Sequence, residues 1–213
     1  MRIQELLCEM PKDHKTTLST DNWARSKGLQ QIGTGSDARI YRSPNQTIVK
    51  VLVGSMGVDT VKASQGFLSF YKFCQKHQGH PNLPVFLTKP KNIVVNGENI
   101  IYVEMETLQR LDRRTAKIAQ DMINHLGDTW EEFVELDSEK LLSQATHGML
   151  KNPFPGEKEM WEKFYNLLTD VFNYFDKRYP PGSKTGATFD LIDTDNVMQR
   201  NGVPVIIDPY VVN

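Results

Sequence analysis

Hydrophobic positions along the chain fall first into period two and later into a repeat of three to four. Ile3, Leu6 and Leu7 share one face of a short amphipathic helix over residues 1–10, and the polar residues 11–27 read as a surface loop. Strand patterning begins at Leu29–Ile32, continues at Arg39–Arg42, and reaches its clearest form in the β-branched stretch Thr47–Val53, after a turn at Ser43-Pro-Asn-Gln. Val58–His77 predicts a helix with Val61, Phe67, Leu68, Tyr71 and Cys74 inward, and His80-Pro-Asn-Leu-Pro ends it. Asn92–Val95 and Asn99–Glu104 then form a hairpin across Asn96-Gly97.

Beyond Met105 the pattern is helical. Arg113–Leu126, Thr129–Glu135 and Ser138–Thr146 precede the strongest element, Glu157–Arg178, where Trp161, Phe164, Leu168, Val171, Phe172 and Phe175 recur on one face. Two short strands close the pattern, Val197–Gln199 and Pro204–Ile207, joined at Asn201-Gly202. The expected architecture is α+β, with three stretches: residues 1–28 as helix and linker, 29–106 as a small antiparallel sheet with one helix, and 107–213 as a helical part ending in a hairpin. Such an order places ligands in a cleft between the sheet part and the helical part.

Composition changes this picture little. Hydrophobic residues make up 39% and charged residues 24%, ordinary values for a soluble domain. A net charge of −1 without a Lys/Arg block disfavours nucleic acid as a partner. Cys8 and Cys74 form no framework or metal spacing and read as reduced thiols. No window approaches the roughly 20 apolar residues of a membrane span, and the N-terminus is too charged for a secretory leader. The expectation is a soluble intracellular protein.

Three groups of residues could carry chemistry. Gly33-Thr-Gly35-Ser36-Asp-Ala38 lies between two strands, where it is either an ordinary hairpin or a turn that lets backbone approach phosphate. Lys50 sits inside Thr47–Val53 and either faces solvent or meets an anion. Asp190, Asp193 and Asp195 precede Asn196, and Asp208 follows an apolar strand. A hairpin turning at Asn201-Gly202 returns Asp208 beside Asn196, giving hard oxygen donors suited to Mg²⁺; the bland reading is an acidic solvated loop with Asp208 as a cap. Pro181-Gly-Ser-Lys-Thr reads as a connector, and the five histidines lack zinc spacing.

Taken in order, these pieces resemble the protein-kinase-like fold. The glycine turn, Ile48-Val-Lys50-Val, His80-Pro-Asn-Leu, Tyr102-Val-Glu-Met-Glu106-Thr-Leu108, Asp190 with Asn196, and Asp208-Pro-Tyr stand where that family has its phosphate loop, lysine strand, post-helix turn, hinge, catalytic loop and metal-binding Asp. The stretch Asn196–Pro209 is most similar to small kinase-like proteins encoded by bacteriophages, a group that includes the early seryl/threonyl kinase of some podoviruses. The resemblance implies a bilobal fold with an antiparallel-sheet N-lobe and a truncated helical C-lobe, five residues following Asp208. It implies ATP and Mg²⁺ as cofactors and host cytoplasm as the location. A host or phage protein, or a small molecule, would be the partner. Gly33, Gly35, Ser36, Ala38, Lys50, Glu106 and Leu108 would hold nucleotide, and Asn196 and Asp208 the metal. Lys50 would act in catalysis with Asp190 or Asp193 as base. Asp190 stands six residues before Asn196, where the family has five; Thr188-Phe189 replaces the usual His-Arg or His-Gly, and Val58–His77 has Asp59 but no Glu. The same resemblance fits a nucleotide- or partner-binding module with weak or no catalysis.

Overall fold

The computed structural model describes residues 20–35, 38–53, 64–128, 155–179, 187–189 and 196–212. The expected helices at 1–10, 129–135 and 138–146, and the part of the 58–77 helix before Ser64, lie outside these. The chain is α+β and divides into two compact units. One takes the described residues up to Ser69, with Val85–Thr107 and Val212; the other takes Phe70–Pro84 and the described residues of Leu108–Val211.

The first unit is built on a five-stranded antiparallel sheet in the order β1-β2-β3-β5-β4. Its strands are β1 (Gln30–Thr34), β2 (Ala38–Arg42), β3 (Ile48–Leu52), β4 (Lys91–Val95) and β5 (Glu98–Met105). Period two divides their side chains between two covered faces. Tyr41, Val49, Val51 and Ile100 cluster on one with Ala24; Ala38, Leu52, Ile101 and Val103 cluster on the other with Phe67. The β4–β5 turn has Asn96 at φ 51° and Gly97 at φ 83°, the two left-handed positions that a tight hairpin matching strand twist requires.

Residues 20–26 are helical, where the polar pattern predicts a loop. Only Ala24 and the half-buried Trp23 give this segment apolar contacts, too few to register as a period. Packing holds it instead: Trp23 lies against Tyr102 at 4.9 Å between ring centroids, and the Tyr41 hydroxyl donates to Asp21 at 2.9 Å. Gly28, at φ 68°, ends the helix, with Leu29 N–H donating to Ala24 O and Gly28 N–H to Arg25 O. That pair of bonds is the Schellman cap, which needs a left-handed residue at this place.

Helix α1 (Gln65–Lys76) starts in the first unit and runs into the second. Its buried stripe is Phe67, Phe70, Phe73 and Cys74, whereas the expected inward residues Leu68 and Tyr71 are half-buried. In the second unit α2 (Arg113–Asp128) is capped by Asp112, which accepts from the N–H groups of Arg114 and Thr115. Helix α3 (Glu157–Arg178) has the expected bounds, and Trp161, Phe164, Leu168, Val171 and Phe175 are buried on it. An ion pair of 2.8 Å joins Arg114, beside the α2 cap, to Glu157, the buried first residue of α3. Strands β7 (Val197–Arg200) and β8 (Val203–Ile206) make a hairpin, and β6 (Ala187–Phe189) pairs with β9 (Tyr210–Val212). Sequence patterning predicts neither of the last two, because three residues are too few for alternation to show.

Candidate functional site

In the first unit the glycine turn interrupts the β1–β2 ladder. The register shifts between Gln31 and Gly33, a bulge, before Gly33 pairs with Ile40 and Thr34 with Arg39. Gly35 N–H donates to Ala38 O at 2.9 Å, and Arg39 reaches back to Gly35 O at 3.0 Å, so the turn is closed on itself at its base. A Cβ on Gly33 or Gly35 would meet only ordinary contacts, 3.6 Å and 3.9 Å away, and neither glycine has positive φ. The fold at these positions does not demand glycine. Ser36 lies outside the described residues.

Lys50 is on the central strand, paired with Ile40 and Val103. It is 6% exposed and lies on the face of Ala38, Leu52 and Phe67, with Nζ 4.5 Å from the Phe67 ring centroid. The solvent-facing alternative for Lys50 is therefore wrong, because helix α1 covers the face that alternation alone left unassigned. Glu106 is tied to the preceding loop: its N–H donates to Val85 O at 3.0 Å, and its carboxylate accepts Val85 N–H at 2.7 Å.

In the second unit Val197 pairs with Ile206 and Arg200 with Val203, across a turn with Asn201 at φ 53° and Gly202 at φ 81°. Ile207 N–H then donates to Asn196 O at 2.9 Å, which extends the ladder by one step. Asn196 and Asp208 thus flank the same open end of the hairpin, both half-buried. An amide oxygen and a carboxylate are hard donors that suit Mg²⁺, an ion that keeps water and phosphate in its remaining positions. Among the described residues no group of three or more His, Cys, Asp or Glu side chains converges; Asp190, Asp193 and Asp195 lie outside them. Leu108 is buried next to Gln109, whose N–H and C=O both bond Gln199 on β7, at 2.9 and 2.8 Å.

The turn after α1 grips this hairpin, which the sequence pattern did not reveal. Asn82 Nδ2 donates to Pro204 O at 2.7 Å, and Asn82 O accepts from Ile206 N–H at 3.0 Å. Arg200 donates through its two terminal nitrogens to Pro81 O and Leu83 O, each at 2.9 Å. His80 belongs to the same turn, and its Nδ1 accepts from Asn82 N–H at 3.3 Å. Burial first, then the neighbouring His77 and Lys163, hold the His80 pKa below its ordinary 6.5, against the opposing charge of Asp170. Its neutral form is favoured by folding. The resulting stability is complete above 6.5 and is lost as pH falls through the lowered folded value. Melting temperature measured over about pH 5 to 8 should drop on the acid side in wild type and drop less in His80→Gln; parallel curves would contradict this.

No family model matches the chain, and no curated protein matches it. Similar solved structures include aminoglycoside phosphotransferase APH(2'')-Ib with ADP bound, at 14% identity over 92% of this chain and 71% of that one, with a TM-score of 0.37. A complex of APH(2'')-IIa with streptomycin and ATP gives 13%, 92%, 71% and 0.37. Macrolide 2'-phosphotransferase MphH from Brachybacterium faecium gives 14%, 90%, 71% and 0.33. At these scores the likeness assigns neither a family nor a residue role to the chain. Among the described residues, no helix is long and apolar enough to cross a membrane.

Proposed function

We propose that the chain is an ATP- and Mg²⁺-dependent phosphotransferase of protein-kinase-like type. The observation that carries this is Lys50, a cation held on an apolar sheet face at 6% exposure. Keeping an ammonium there costs stability relative to an aliphatic side chain whatever it pairs with. An aliphatic side chain would serve the strand without that cost, whereas polyphosphate binding needs the charge.

On this reading Lys50 neutralises the α and β phosphates under the Gly33–Ala38 turn, to which Gly35, Ser36 and Ala38 contribute. Glu106 and Leu108 border the adenine. Asn196 and Asp208 hold Mg²⁺, which when bound supplies neutralisation of phosphate charge. Asp190 or Asp193 orients the acceptor hydroxyl and takes its proton as the oxygen bonds to the γ phosphorus and ADP departs with the electrons of the broken P–O bond. The phage-group resemblance favours a host protein or a small molecule as acceptor.

A second reading has its own observation. The face of α1 that meets Lys50 presents Phe67, and the helix from Gln65 to Lys76 contains no acid to orient the lysine. That favours a module that binds nucleotide or a host protein with little turnover. Thermal denaturation with ATP, with and without Mg²⁺, tests what the two share: a ligand at a hundredfold excess over its Kd adds about 2.7 kcal/mol to the native state. The expected result is stabilisation by ATP that grows with Mg²⁺. No shift under either condition would sink the nucleotide-binding readings together, and stabilisation without ADP release or autophosphorylation would leave the second.

A further inference from the structure

The geometry points to Asn82 as a positioning residue for the metal pair Asn196 and Asp208, an inference that rests on the metal reading above. Strand β8 has two edges. Val203 and Val205 stand on the register that pairs with β7, and Ile207 N–H continues it by bonding Asn196 O. The peptide groups at Pro204 and Ile206 belong to the opposite edge, where an ordinary sheet would place a third strand.

Among the described residues Asn82 takes that place alone. Its side-chain amide donates to Pro204 O, and its main-chain carbonyl accepts from Ile206 N–H. One residue thereby supplies the donor and acceptor that a neighbouring strand would supply, at a site with 0% exposure that excludes competing water. Arg200 reinforces the grip from β7 by binding the carbonyls on either side of Asn82. Both strands are thus fastened to one turn, and Asp208 follows two residues after Ile206. A slip of one residue in a strand carries its side chains to the other face. Fixing β8 at Pro204 and Ile206 fixes the direction from which the Asp208 carboxylate is presented beside Asn196.

Partners that orient metal ligands without touching the metal are worth about 10- to 100-fold in affinity. The test uses the full chain and Mn²⁺ as the probe, with binding followed in the presence of ATP by the loss of free-ion paramagnetic signal. Asn82→Ala should bind Mn²⁺ at least about 10-fold more weakly, with metal-free ATP affinity unchanged. Phe164→Leu, in the buried stripe of α3, serves as a control of comparable destabilisation and should keep wild-type Mn²⁺ affinity. Should Asn82→Ala not fold, Arg200→Lys keeps the charge but loses the double grip, and should give a smaller loss in the same direction. Equal Mn²⁺ affinity in wild type and in the folded turn variant overturns the inference while leaving the metal reading intact. An equal loss in Phe164→Leu overturns it as well, since affinity would then follow stability alone. A wild-type chain that binds no Mn²⁺ overturns both.

Discussion

Lys50→Met is expected to lose most of its affinity for ATP while remaining folded. Methionine has nearly the length of lysine and no charge to desolvate. The side chain lies among Ile40, Leu52, Val103 and Phe67, so the thioether enters surroundings that already suit it. The lost contact of the ammonium with the Phe67 ring is worth roughly 0.5–2 kcal/mol. A sulfur–aromatic contact of about 0.3–1.5 kcal/mol replaces much of it, and removal of the burial penalty offsets part of what else the ammonium loses. Nucleotide affinity should fall by at least about 10-fold, since charge-assisted bonds to phosphate are each worth roughly 1.5–3 kcal/mol. Thermal melts and an ATP titration on one preparation measure both effects. A folded variant that binds ATP as well as wild type would show that Lys50 does not serve phosphate.

Asp208→Ala should have the larger effect on turnover. Asp208 is half-buried just past β8, and melting temperature measured on the same variant separates any loss of stability from the loss of turnover. What it removes on the proposed reading is the only carboxylate among the described residues assigned to the metal. Loss of a preorganised group that stabilises developing charge costs on the order of 10²–10³ in rate. ATP alone should still stabilise the variant, and Mg²⁺ should add nothing further. Equal ATPase or autophosphorylation rates in wild type and Asp208→Ala would refute the phosphotransferase reading.

The elements that sequence disclosed are those whose signal is local. Asn96-Gly97 and Asn201-Gly202 name their turns because each needs two left-handed residues in a row. Glu157–Arg178 is long enough for its period to outweigh propensity noise. The return of Asp208 to Asn196 followed from the same turn chemistry plus the length of the hairpin. Lys50 was half legible: alternation fixed its phase within β3, but which sheet faces are covered depends on residues 20–26 and on α1. Asn82 was not legible at all. In His80-Pro-Asn-Leu-Pro it reads as a turn residue, and its bond to Pro204 spans 122 positions, which leaves no trace in any local pattern.

The bulge between Gln31 and Gly33 also bears on how the molecule behaves in crowded solution. It lies on β1, an outer strand of the sheet among the described residues, where an irregular ladder is a poor template for pairing with another chain. The opposite outer strand, β4, is regular through five residue pairs and exposes Val94. Lys91 sits at its start, over the Tyr102 ring, as the charge that such edges use against zipping. Among the described residues, the edge beside the Gly33–Ala38 turn is thus guarded by irregular backbone and the β4 edge by a single charge.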